Sequence, residues 1–160
     1  MNFENSAQEL TYKSVQDYLN NSLFKETVRA STEHPRFDLL YQNTTLIALY
    51  ILPWETHPYP NKEMAIVRAS SCVAIGCGPE LELLRFLLDE NRKIRFGSFQ
   101  TDEAGTVFFA NRILGGKHMD LTELEVCVLS VGAIATRYSD TITEKFGGQR
   151  ALNATLNSKL

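Results

Sequence analysis

The sequence predicts an α+β fold in which a five-stranded antiparallel sheet carries packed helices, in the order α-β-β-β-α-β-β-α. Two observations about pattern predict it. Apolar strand-like blocks come in neighbouring pairs joined by short polar turns, at Gln42-Asn43-Thr44 and at Gln100 to Gly105, which makes the connections antiparallel hairpins. Helical stripes precede, divide and follow these blocks. A third observation is length: 160 residues suit a single domain spanning residues 1–160, with one core and no room for a second.

Taken in order, residues 1–11 are polar and aperiodic at their start and are expected to form a mobile tail. Tyr12, Val15, Leu19 and Leu23 then recur at helical spacing and predict an amphipathic helix that frays near Asn20-Asn21-Ser22. Thr32-Glu33-His34-Pro35 interrupts the chain, because the residue before proline is driven out of helical geometry. Strands follow at Phe37 to Tyr41, Thr45 to Leu52 and Met64 to about Ile75. In the last of these, Ala65, Val67, Ala69, Ser71, Val73 and Ile75 alternate with a mixed set containing Arg68, Ser70 and Cys72. The intervening Pro53 to Lys62, with prolines at 53, 58 and 60, is read as an exposed loop.

Gly76-Cys77-Gly78-Pro79-Glu80 introduces the central helix. Proline at a first helical position sacrifices no useful hydrogen bond, and Glu80 complements the positive helix end. At 100° per residue, Leu81, Leu84 and Leu88 form one apolar sector and Leu83, Phe86 and Leu87 an adjoining one. The combined arc is roughly 200° wide against the roughly 100° that packing one face requires. One reading buries both sectors within the monomer. The other, which the sequence favours, assigns Leu83, Phe86 and Leu87 to a second subunit or a partner polypeptide, because large apolar patches mark contacts.

Lys93 to Phe99 and Thr106 to Leu114 are read as the second hairpin, closed by Gly115-Gly116. Asp120, with Glu123 three residues on, resembles a capping box for the last helix. Its stripe runs through Leu124, Cys127, Val128, Val131, Ile134, Ala135, Tyr138, Ile142 and Phe146 before Gly147-Gly148 stops it. Residues 149–160 are expected to be a second mobile tail.

Composition narrows the function classes. A formal net charge of -3 without a basic cluster offers no source for phosphate neutralisation, so no nucleic-acid partner is expected. No run approaches membrane-spanning length and the N-terminus lacks a secretory pattern, so a cytoplasmic protein without a membrane partner is expected. Cys72, Cys77 and Cys127 fit neither a disulfide framework nor a paired zinc motif. Cys72 and Cys77 with His57 or His118 form a conceivable metal set, and Cys77 beside a helix N-terminus a conceivable nucleophile. Small unreactive thiols are the simpler reading. Complete phosphate-binding fingerprints are absent, so no cofactor is expected. Trp54, His57 and Tyr59 in the proline-rich loop either form a recognition surface or cap the core.

Phe37-Asp38 with its hairpin, the run from Gly78-Pro79-Glu80 to Leu88, Arg95-Phe96-Gly97-Ser98-Phe99 and Val107-Phe108-Phe109 together resemble the YbjN-like proteins, whose fold is that of type III secretion chaperones. The resemblance covers roughly residues 12 to 147 and is nearest to members from photosynthetic bacteria. It implies a non-enzymatic binding protein, often dimeric. The resulting expectation is a chaperone-like homodimer holding a polypeptide client through apolar surfaces, with Leu83, Phe86 and Leu87 at the interface and Trp54 and Tyr59 on the client surface. A YbjN-like regulatory or sensory module binding a protein or small ligand is the alternative, and a thiol or metal enzyme the third.

Overall fold

The computed structural model describes residues 1–54, 63–78 and 80–151. Tyr59, His57, Pro79 and most of the expected C-terminal tail lie outside the described residues. The elements are α1 (Ser6–Asn20), β1 (Arg29–Ala30), β2 (Arg36–Tyr41), β3 (Thr45–Pro53), β4 (Ala65–Ile75), α2 (Leu81–Lys93), β5 (Ser98–Thr101), β6 (Val107–Leu114), α3 (Leu121–Phe146) and β7 (Gln149–Arg150). The α+β order is as the sequence predicts. Among the described residues the sheet has seven strands rather than five, because two-residue β1 and β7 join the expected set.

All pairings are antiparallel, in the order β1-β2-β3-β4-β6-β5, with β7 paired to β4. The β2–β3 turn places Gln42 and Asn43 at φ of 49° and 57°. That left-handed pair gives the twist a tight hairpin needs, and asparagine tolerates it better than most residues. Strand parity then sorts the side chains. Leu39, Ile47, Leu49, Ile51, Val67 and Phe109 are completely or almost completely buried on the inner face, beneath the helices.

Several boundaries differ from expectation. Residues 6–11 are helical rather than a tail. Asn5 Oδ1 accepts a hydrogen bond from the Gln8 backbone N–H at 2.7 Å, and Gln8 Oε1 accepts one from the Glu4 N–H at 2.8 Å. These bonds satisfy donors that a helix start otherwise leaves open. Phe24, not the exposed Leu23, completes the apolar side of this region. The strand expected from Lys93 begins only at Ser98, since α2 continues through Lys93. Asp120 caps α3 as expected, accepting from the Thr122 and Glu123 backbone N–H groups at 2.7 and 3.3 Å.

The central helix reverses the expected assignment of its sectors. Leu83 and Leu87 are 0% and 4% exposed within the monomer, so neither is available to a second subunit or client. Phe86 is half-buried, with its ring 5.3 Å from that of Phe146 and with Lys145 Nζ 4.9 Å from its centroid. Leu81 and Leu88 instead are 62% and 65% exposed, with half-buried Leu84 between them in sequence. The wide apolar arc is real. The helix chooses its inward flank by where Phe146 and the sheet lie, which its own periodicity does not encode.

Candidate functional site

Register places the other alternate residues in rows across the sheet's outer face. Leu52 pairs with Ile66 and Ile66 with Leu114. The adjacent row runs Arg36, Tyr50, Arg68, Arg112, and the next Asp38, Ala48, Ser70, Ala110, Ser98. Beyond it lie Leu46, Cys72 and Phe108. Leu46, Leu52 and Leu114 are exposed. A sheet face meant only for water alternates polar residues here; this one repeats large apolar groups.

The surface deepens where the β3–β4 ladder opens. Pairing between these strands ends at Ala48↔Ser70. Farther along β4, Ala74 and Ile75 pair with β7 on that flank, leaving Ser71, Cys72 and Val73 without a strand partner there among the described residues. Hydroxyl groups replace part of the ladder. Ser71 Oγ donates to the Leu46 carbonyl at 2.8 Å, Ser139 Oγ donates to the Val73 carbonyl at 2.9 Å, and Thr45 and Thr136 hydroxyls share a bond of 2.7 Å. Their satisfaction allows the strands to splay without abandoning buried carbonyls.

Two glycines permit this arrangement. A Cβ on Gly132 would lie 2.5 Å from the Tyr41 ring, so glycine lets α3 approach the β2–β3 end closely. Gly148, at φ +79°, would bring a Cβ within 2.4 Å of the Ile75 carbonyl oxygen, so glycine also lets the chain turn into β7.

The resulting cleft has a volume of about 550 Å³. Leu46 and Tyr50 line the β3 side, Cys72 and Phe108 the opposite side, Ala135 the back and Arg150 one end. Among the described residues its charged lining groups are Arg36 and Arg150, with no carboxylate beside them in the lining. Both arginines have partners just outside: Arg36 Nη2 donates to Asp38 Oδ1 at 2.6 Å, and Arg150 contacts Asp140. Burial, followed by the Asp102 and Cys77 charges, pushes the Cys72 thiol up to about 11. At neutral pH Cys72 is therefore a small neutral wall residue rather than a poised thiolate.

The other sequence candidates separate. Cys77 is buried, its thiol raised by desolvation and 3.3 Å from the Gly147 carbonyl oxygen. Burial pushes Cys127 up to about 11. Among the described residues no group of three His, Cys, Asp or Glu side chains could hold a metal ion. Trp54 is half-buried just past β3, where its backbone N–H donates to the Met64 carbonyl at 2.9 Å. Sequence reasoning missed Tyr50, Phe108 and the outer arginines; Tyr50 had a signal in the apolar even positions of Thr45 to Leu52, where a solvent face should read polar, while Phe108 and the arginines join it only through the strand register.

Comparison with known proteins agrees with the family resemblance. A family model described as T3SS (YopN, CesT) and YbjN peptide-binding chaperone 1 matches residues 56–154, more than half of the chain. The matched region includes the Cys72, Phe108 and Arg150 parts of the cleft but not β2 or β3. A protein from Aquifex aeolicus (strain VF5), whose name is Uncharacterized protein, is 35% identical over 92 residues. That match covers 54% of this chain and 36% of the Aquifex protein, so the chain spans only about a third of this relative's length. No helix among the described residues is long and apolar enough to cross a membrane.

Proposed function

This chain belongs to the T3SS (YopN, CesT) and YbjN family of peptide-binding chaperones, a binding rather than an enzyme family, and we propose that it holds an extended partner segment across its outer sheet face. The observation carrying this reading is the continuity between the apolar outer rows and the cleft at the β3–β4 fork. An extended peptide presents side chains alternately to its two sides. Leu46, Tyr50 and Phe108 supply apolar seats, while the fork admits a side chain between strands. Trp54 would extend the rim beyond Leu52.

Self-association belongs to another surface in this proposal. Leu81, Leu84 and Leu88 form an outward stripe on α2, and a second copy supplies the same stripe in a symmetric interface. Replacing Leu83, Phe86 and Leu87 by this stripe retains the homodimer proposal while accommodating the observed core.

Binding of an alternating leucine–glutamine peptide of about eight residues tests the client surface. The neutral peptide should bind, and Tyr50→Ala or Phe108→Ala should weaken it by about 2 kcal/mol or more, over tenfold, if these rings are anchoring groups. Unchanged affinity in both folded variants would contradict the assigned surface. The cleft's volume of about 550 Å³ also suits a small ligand, which is the second reading. Displacement of a bound metabolite without any peptide binding would favour it.

A further inference from the structure

Among the described residues, two charges of the outer face lack an opposite charge. Arg68 and Arg112 stand directly opposite each other on β4 and β6. Like charges in such a cross-strand pair oppose stability. Among the described residues neither has a carboxylate partner. Arg68 Nη2 makes a long 3.4 Å bond to Gln100 Oε1, while its buried Nε has no partner. The Arg68 guanidinium lies 6.0 Å from the Tyr50 ring centroid, with Arg36 above the same ring at 5.1 Å. Only Asp38 supplies a carboxylate in strands β2 to β6, and Arg36 already occupies it.

Side-chain size gives these charges a direction. Ala48, Ser70 and Ala110 form a low row between Tyr50, Arg68 and Arg112 on one side and Leu46, Cys72 and Phe108 on the other. The row is a strip of small side chains with the arginines rooted on one side and apolar groups on the other, and Arg68 reaches over it, because the Gln100 that its Nη2 meets is the β5 partner of Phe108. An extended segment lying along this strip sends successive side chains to its two sides. Acidic groups at every second residue would meet the arginines while the intervening apolar groups meet Leu46, Cys72 and Phe108.

We propose that Arg68 and Arg112 are carboxylate-binding residues that select partner segments alternating acidic and apolar side chains. This specificity rests on the peptide-binding reading of the same face. The chemistry is noncovalent: an incoming carboxylate accepts hydrogen bonds from the accessible guanidinium groups and offsets the repulsion of the facing like charges. A polypeptide fits this arrangement better than nucleic acid, because the whole chain is acidic, with net charge -3, and the cationic groups form one short row beside an apolar wall.

The test compares otherwise identical alternating leucine–glutamate, leucine–glutamine and leucine–lysine peptides, with an oligouridine probe beside them. Glutamate should bind roughly tenfold tighter than glutamine, with lysine weakest. Arg68→Gln with Arg112→Gln should erase the glutamate preference, bringing the glutamate and glutamine peptides to the same affinity. Each single variant should retain or slightly raise the melting temperature, as expected when one member of a like-charge pair is removed. Equal glutamate and glutamine affinity in the unaltered protein overturns the acidic specificity alone. Failure of every peptide to bind overturns both this specificity and the peptide-binding assignment. Tighter oligouridine binding that depends on the same arginines also overturns the proposed partner class.

Discussion

The two faces of the sheet use alternate residues of the same strands, yet they meet different demands. Leu49 and Phe109 are buried inward, whereas adjacent Tyr50 and Phe108 belong to the outer face. The inner face is closed by α1 and α3, with α2 packed beside β5. The outer face combines exposed leucines, a cleft and, at Arg68 and Arg112, arginines with no carboxylate partner among the described residues. An apolar residue on this fold therefore has its consequence set by strand parity as much as by hydrophobicity.

The largest expected contrast separates folding from recognition at two neighbouring phenylalanines. Phe109→Ala should cost about 3–5 kcal/mol, because it opens a cavity in a closely packed core. Phe108→Ala should cost less than about 1 kcal/mol while weakening peptide binding. Denaturant unfolding and peptide titration of both variants distinguish these effects. Equal destabilisation with no binding change would erase the proposed division between the faces.

The same comparison sharpens within α2. Leu83→Ala should cost about 2–5 kcal/mol, whereas Leu88→Ala should stay within about 0.5 kcal/mol in a dissociated chain. Leu81→Asp with Leu88→Asp should lower the solution mass to that of one chain while preserving the fold. A persistent dimer after both substitutions would contradict the outer-stripe interface.

A smaller test compares thiols. In the fold Cys72 and Cys127 are each pushed up to about 11 from an ordinary 9.0. Their neutral forms contribute stability below the ordinary thiol pKa, and that contribution is lost as pH rises from about 9 toward 11. Cys127→Ala should shallow the alkaline decline in unfolding free energy, independently of its own cavity cost. An identical pH slope would contradict the linkage. Peptide should also slow alkylation of Cys72 at the cleft more than that of Cys127 in the core.

Much of the fold was legible because local chemistry and long-range order agree. Gln42-Asn43-Thr44 specifies a turn, Asp120 specifies a helix start, and the α3 stripe survives packing. The early start of α1 was also encoded in Asn5 and Gln8, but their capping bonds sit in a segment otherwise resembling a tail. The two leucine sectors of α2 were visible; which one faces inward was not, since both have similar side chains and Phe146 decides the packing. Trp54 was a readable loop aromatic, whereas Tyr59 lies outside the described residues. The cleft was less legible still. It needs the ladder to end at Ala48↔Ser70, hydroxyls from α3 to serve β4, and β7 to join beyond the fork. Likewise, Arg68 and Arg112 become facing charges only when the β4–β6 register is known.

The central claim is tested most directly by backbone amide chemical-shift mapping of isotope-labelled protein titrated with the alternating leucine–glutamate peptide. The largest saturable changes should gather at Leu46 to Tyr50, Arg68 to Val73 and Phe108 to Arg112, with far smaller changes along the outer stripe of α2. Saturable changes centred on Leu81, Leu84 and Leu88, with the sheet positions unmoved, would contradict the outer-face account.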